Sequence, residues 1–190
     1  MDMPVKNDAT QQNGSQDKFQ FDLEAVRAKA RQNLESGAVT QAYAGNREEI
    51  IKMLNEALAT ELVCVLRYKR HYFMAKGIHS EAVAAEFAEH AGQEQEHADS
   101  IAERIVQLGG EPDFNPATLL DRSHAQYVPG KSLQDMIRED LVAERIAIDS
   151  YKAMVDYIGA DDPTTRRMLE QILAVEEEHA DDMSDLLELN

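Results

Sequence analysis

Apolar residues return every three to four positions along five stretches of this chain, the spacing that gathers them on one face of an α-helix. The first stretch, about Asp22 to Glu35, carries Leu23, Val26, Ala30 and Leu34 and stops at Gly37. The second opens at Asn46, a side-chain cap reinforced by Glu49, and runs to Gly77 with Leu54, Leu58, Glu61, Val65, Tyr68 and Tyr72 inward. The third, about Ser80 to Gly109, turns Phe87, Ala91, Glu94, His97, Ile101, Ile105 and Leu108 inward. The fourth opens with Ser132 and Asp135 as a cap pair, carries Leu133, Ile137, Asp140, Glu144, Ile148, Tyr151 and Val155, and closes at Gly159. Asp162 then precedes Pro163 as cap and first-turn residue of the last helix, whose stripe reads Leu169, Ile172, Glu176, His179, Met183 and Leu186.

Four of these stripes are interrupted by groups that do not belong in a hydrocarbon core: Glu61, then Glu94 with His97, then Glu144, then Glu176 with His179. Glu61 precedes Glu94 by 33 residues and Glu144 precedes Glu176 by 32, so one unit is carried twice. Turn residues mark both midpoints, Gly77 in the first unit and Ala160 between Gly159 and Asp161 in the second. If each unit is a helical hairpin, its two acidic groups lie at one depth, roughly 24 Å from the bend at 1.5 Å per residue. Between the hairpins runs a connection of 22 residues, Gly110 to Lys131, holding Pro112, Pro116, Pro129 and Gly130. Fully extended it spans about 70 Å, against about 45 Å for a 30-residue helix, so it can cross the whole bundle. The expected architecture is a four-helix bundle with an additional N-terminal helix.

Four carboxylates buried together cannot all stay ionised unless cations neutralise them, because desolvation and mutual repulsion raise their pKa values by several units. Two divalent metals bring four positive charges. In Glu-x-x-His the three-residue spacing sets an oxygen and a nitrogen donor on one helix face. A lone Glu-x-x-His on an acidic helix is ordinary surface decoration; two of them, each with a partner glutamate at matched depth, point to a two-metal site. Oxygen-rich donors with one imidazole per metal suit iron or manganese, and zinc can occupy them.

Composition sharpens the picture. The chain has 190 residues, 43% hydrophobic and 29% charged, which suits one compact domain. Residues 1–20 hold too few large apolar side chains to order themselves and are expected to form a flexible tail without the features of a secretory signal. Residues 21–45 then form the N-terminal helix and its linker, and 46–190 the bundle. A net charge of −17 repels phosphate backbones, so nucleic acid is not an expected partner. No stretch has the apolar length of a membrane span, and a cytoplasmic location is expected. The single Cys64 excludes an intrachain disulfide and a four-cysteine iron centre, and reads as a small core residue. Met53, Met74, Met136, Met154, Met168 and Met183 read as core filler, and His71, His79, His90 and His124 as surface or capping residues.

In these motifs the chain resembles the ferritin superfamily, and bacterioferritins most, across about residues 47–189. The resemblance implies an all-α, ferritin-like four-helix bundle of two antiparallel hairpins joined by a long crossover. It implies a ferroxidase centre of two iron ions per chain, with Glu61 and Glu144 terminal, Glu94 and Glu176 bridging, and His97 and His179 completing the set. Tyr68, seven residues after Glu61, matches a tyrosine near that family's metals, and Tyr151 stands equivalently after Glu144. Asp140, one turn before Glu144, is expected to accept the second ring proton of a ligand imidazole. The implied activity is oxidation of Fe(II) by dioxygen or hydrogen peroxide, for iron storage or detoxification. The same ligands also serve peroxidase, catalase or oxygenase chemistry with iron or manganese, and a structural oligomer is the non-enzymatic alternative. Gln95 stands where the family's haem-binding methionine would be, so no haem is expected. Sequence beyond His179 is short for the family's fifth helix, and the extra N-terminal helix is similar to that of miniferritins. A homo-oligomer is therefore expected, a dimer or dodecamer in preference to a 24-mer.

Overall fold

The computed structural model describes residues 19–77 and 80–188, and all regular structure among them is helical. The expected tail lies outside the described residues except for Phe19 and Gln20, as does His79. The chain divides into two compact units, one ending at Leu34 and one beginning at Glu35. The first contains α1 (Leu23–Lys29), capped by Asp22 through Ala25 N at 3.0 Å. This helix is half the expected length. It ends at Lys29 with its cap at Ala30, and Asn33 beyond it adopts a left-handed φ of 52° that a helix cannot contain, so Leu34 belongs to a separate 3-10 turn, Leu34–Ser36.

The second unit contains α2 (Arg47–Met74), α3 (Ser80–Gln107), a short α4 (Leu119–Arg122), α5 (Leu133–Ile158) and α6 (Pro163–Glu188). The caps read from the sequence form as expected: Asn46 accepts from Glu49 N, Ser132 from Asp135 N, and Asp162 from Thr165 N. Helix α3 ends in paired reverse bonds, Gly110 N to Ile105 O and Gly109 N to Val106 O, with Gly109 at a φ of 78° that a side chain would disfavour. Helices α2 and α3 pack as one antiparallel hairpin and α5 and α6 as the other. This is the ferritin-like bundle.

The crossover is not a free strand. It travels along α2 in register with that helix, bonding side chains of α2 one after another. Asn55 accepts from Asp113 N and donates to Glu111 O, Thr60 Oγ1 accepts from His124 N, and Arg67 donates to Gln126 O. Arg70 then donates to Pro129 O. From Asn55 to Arg70 this covers about 23 Å of helix, well inside the reach of the segment. The surplus length folds into α4, which the sequence reading did not foresee and whose Leu119 is buried beside Val63 and Cys64.

At one end of the bundle Arg104 of α3 donates twice to Asp162, at 2.8 and 2.9 Å, and once to Thr165, while Tyr43 of the linker donates to Asp162 at 2.9 Å. One carboxylate thus fastens the second hairpin and residues 38–45 to the first. The core divides into an apolar cluster at this end, containing Leu54, Leu58, Ile101, Ile105 and Leu169, and a second at the other, built on Phe87, Val83, Ile137 and Met183. Cys64 is buried in a third cluster and free. Two inward assignments fail: Tyr72 and Met74 are exposed, because near the end of α2 the inward place goes to His71.

Candidate metal centre

Between the two apolar clusters the four long helices bring Glu61, Glu94, His97, Glu144, Glu176 and His179 together, all buried. Their donor atoms fall into two overlapping groups within which all atoms lie within 4.8 Å of one another. One consists of Glu61, Glu94, His97 and Glu176, the other of Glu94, Glu144, Glu176 and His179. Glu94 and Glu176 belong to both. His97 Nδ1 lies 2.9 Å from Glu176 Oε1, 3.4 Å from Glu61 Oε2 and 3.5 Å from Glu94 Oε2. His179 Nδ1 faces Glu94, Glu176 and Glu144 at 3.7, 3.8 and 3.9 Å.

Seven buried side-chain atoms among the described residues have no hydrogen-bond partner, and all seven belong to these six residues: Glu61 Oε2, both oxygens of Glu94, His97 Nδ1, Glu144 Oε2, Glu176 Oε1 and His179 Nδ1. The short His97–Glu176 contact lacks the angles of a hydrogen bond. Buried polar groups are ordinarily paired, and leaving one unpaired costs about 1–3 kcal/mol. So many orphaned donors converging at one point fit cations of their own charge complement.

Electrostatics agree. Burial, then the neighbouring Glu176, Glu61 and Glu144, hold the Glu94 carboxyl well above the usual range. Burial and Glu61 raise Glu176 to about 8. Burial pulls both imidazoles down, but the carboxylates around them outweigh it and raise His97 to about 10 and His179 to about 9. Burial also pushes Glu144 up, and there His179, Glu176 and Tyr68 outweigh it and bring the carboxyl to about 2. Without metal the cluster thus holds protons where divalent cations would otherwise supply the positive charge.

Around the donors stand residues that fix their orientation. Tyr68 of α2 donates to Glu144 Oε1 at 2.5 Å, and Tyr151 of α5 donates to Glu61 Oε1. Burial and those carboxylates keep both phenols protonated, so they serve as donors. Gln93 Oε1 accepts from His179 Nε2 at 2.9 Å, so when the ring is neutral, as a metal ligand must be, its Nδ1 lone pair faces the carboxylates.

Asp140 is not a partner of a ligand imidazole, contrary to the sequence expectation. Its oxygens take Arg67 Nε at 2.8 Å and His71 Nδ1 at 2.7 Å in a fully buried triad. One turn above Glu144, the element facing Asp140 is α2, which presents Arg67 and His71. His71 and His90 are accordingly core residues rather than surface ones, while His124 is exposed near Glu56, as expected. Sequence reasoning missed Gln93, His71 and His90. Their only signal was position: Gln93 is adjacent to Glu94, and His90 lies one turn before it.

The ferritin-like domain family pattern matches residues 51–190. Bacterioferritin from Mycobacterium avium is 30% identical over 142 residues, 74% of this chain and 85% of that protein. Among solved structures, a dodecameric thioferritin, the bacterioferritin-related protein of Bacteroides fragilis, superposes with a TM-score of 0.73 at 30% identity, covering 76% of this chain and 87% of that one. The Desulfovibrio desulfuricans bacterioferritin, whose structure describes a diiron site, superposes with a TM-score of 0.67 at 27% identity, over 76% and 84% of the two chains. Fold, donor set and relatives agree: this chain is a member of the ferritin-like domain family.

Proposed function

We propose that the chain is a di-iron ferroxidase, oxidising Fe(II) to Fe(III) with dioxygen or hydrogen peroxide for iron storage or detoxification. The observation that carries this reading is the convergence of all seven unpartnered buried donor atoms on the six residues Glu61, Glu94, His97, Glu144, Glu176 and His179. Two irons held there supply one electron each to the oxidant. Glu94 and Glu176, which belong to both donor groups, would be shared by the two irons, Glu61 with His97 would complete one half-site, and Glu144 with His179 the other. Tyr68 and Tyr151 hold the terminal carboxylates in place, and Gln93 fixes the ring of His179. Two net positive charges per ion match a set of four carboxylates, so the filled site is close to neutral in a buried place. Zinc or manganese fits the same donors, and iron is the redox-active ion that the carboxylate and imidazole set also accepts.

Assembly as a homo-oligomer is part of the proposal, with a dodecamer supported by the thioferritin relative. No helix among the described residues is long and apolar enough to cross a membrane. A cytoplasmic location suits the single free thiol and a substrate that must arrive reduced. With a net charge of −17, nucleic acid is not among the proposed partners.

The test is anaerobic Fe(II) titration of metal-free protein, followed by aeration, with absorbance, oxygen uptake and particle mass recorded together. Saturation at two irons per chain, rapid oxidation and further uptake into a large particle are expected. Two irons without further uptake would move the function to peroxide or oxygen chemistry, and absence of oxidation would overturn the enzymatic reading.

A further inference from the structure

The duplicated ligand set is twofold symmetric, but its surroundings are not. The second unit follows the first by 82 residues on α3 and α6, so His90 corresponds to Ile172, Glu86 to Met168, and Asp182 to Ser100. On the half-site of His97 those places are apolar or neutral. On the half-site of His179 they are filled by an imidazole and two carboxylates that meet across the helices.

His90 is 1% exposed. Its Nε2 lies 3.4 Å from Asp182 Oδ2 and 3.9 Å from Glu86 Oε2, and the donor atoms of the three residues lie within 4.8 Å of one another. Proton accounting fixes which nitrogen carries hydrogen. Tyr68 has one hydroxyl proton, which it donates to Glu144 Oε1, so toward His90 Nδ1, 3.2 Å away, it offers only a lone pair. In the neutral ring His90 therefore donates from Nδ1 to Tyr68, and its Nε2 turns a bare lone pair toward two acceptor-only carboxylates. Three acceptors without a proton among them suit a cation, which would join the buried ring nitrogen to the two partly hydrated carboxylates. Donors about 2.1 Å from a common ion stand about 3.0–3.4 Å apart at octahedral to tetrahedral angles; the His90–Asp182 separation of 3.4 Å meets this, and the partly exposed Glu86 side chain, at 3.9 Å, would close in on the ion.

We propose that Glu86, His90 and Asp182 form a third divalent-cation site, which passes its ion to the half-site of Glu144 and His179. The placement supports transfer. The side chains of Glu86 and Asp182 are 40% and 45% exposed, so the ion would keep part of its water and leave readily. Glu86, His90 and Glu94 follow one another at single-turn spacing on α3, and Asp182 follows His179 by one turn on α6, forming a ladder of donors from solvent to centre. The rings of His90 and His179 stack at a centroid distance of 3.9 Å, so the outer site adjoins the inner one through these two ligands.

The transfer role rests on the paired-metal reading; the binding site does not. Crystals of metal-free protein soaked in Mn(II) should show three anomalous peaks per chain, one between Glu86, His90 and Asp182. Mn(II) titration should fall from three sites to two in the Glu86→Gln/Asp182→Asn double variant, whose exposed positions leave the fold intact by circular dichroism. The same variant should oxidise limiting Fe(II) several-fold more slowly. Two peaks at the paired centre and none at the outer place would overturn the third site alone. A peak only at the outer place would support it while overturning the paired centre. Retention of a third Mn(II) by the variant would overturn the assignment, and an unchanged oxidation rate would overturn the transfer role.

Discussion

The hydroxyl of Tyr68 on α2 donates to Glu144 on α5, and the hydroxyl of Tyr151 on α5 donates back to Glu61 on α2. Each hairpin thus orients the terminal carboxylate of the other. Hydrogen bonds to charged acceptors contribute about 1.5–3 kcal/mol. Tyr151→Phe should therefore weaken the half-site of Glu61 by about 30-fold in stepwise metal titration, and Tyr68→Phe the half-site of Glu144. Equal affinities in wild type and both variants would contradict this role.

Removing a shared ligand is a harsher test. Glu94→Ala or Glu176→Ala takes an oxygen donor from both half-sites, so rapid Fe(II) oxidation should disappear in stopped-flow traces while helix content stays largely intact. Unchanged kinetics would sink the site assignment.

Gln93 acts through another residue. With Gln93→Leu the His179 Nε2 proton loses its acceptor, the ring is no longer held with Nδ1 inward, and metal affinity at that half-site should fall by about 10–100-fold. Chelator competition measures it, and Gln93→Asn should recover part of the loss if orientation is the cause.

The raised pKa values make stability depend on pH with a definite sign. Glu94, Glu176, His97 and His179 all hold their protons more tightly folded than unfolded. Their protonated forms stabilise the metal-free protein fully at low pH. That contribution is lost as pH rises from the ordinary carboxylate value toward about 8 for Glu176, and toward about 9 and 10 for the two histidines. Metal-free protein should lose thermal stability between about pH 6 and 9, whereas metal-loaded protein should not, since bound cations replace the protons. Metal uptake at neutral pH should release several protons per chain, measurable with an indicator in weak buffer.

The Arg67–Asp140–His71 triad is fully buried. Arg67→Ala leaves Asp140 without its main counter-charge and should destabilise the fold by about 3–5 kcal/mol in urea unfolding. Loss of the bond from Arg67 to Gln126 O should also loosen the crossover there, as faster amide exchange.

The clustering of the six candidate donors was legible because a carboxylate or imidazole inside an apolar stripe violates the helical pattern, and because the violation is repeated at matched depth. Helix ends were legible from Asn46, Ser132 and Asp162, whose caps form locally. The environment of the ligands was not legible, because it depends on contacts between hairpins. Asp140 meets α2 residues about 70 positions away, and His90 meets Asp182, more than 90 positions away, pairings that no local period encodes. Asn33 shows the opposite limit: the apolar spacing continues through it to Leu34, but the helix has already ended at Lys29 and the left-handed backbone of Asn33 keeps Leu34 out of it.

Neither hairpin owns a half-site. The donor group of Glu61, Glu94 and His97 includes Glu176, and that of Glu144, Glu176 and His179 includes Glu94, so on the proposed reading each ion would draw ligands from α2–α3 and α5–α6 at once. Metal occupancy and hairpin docking are then one equilibrium, and each ion acts as a reversible cross-link in a chain whose single cysteine can form none internally. Iron scarcity would show itself as a loosened bundle as well as a silent catalyst.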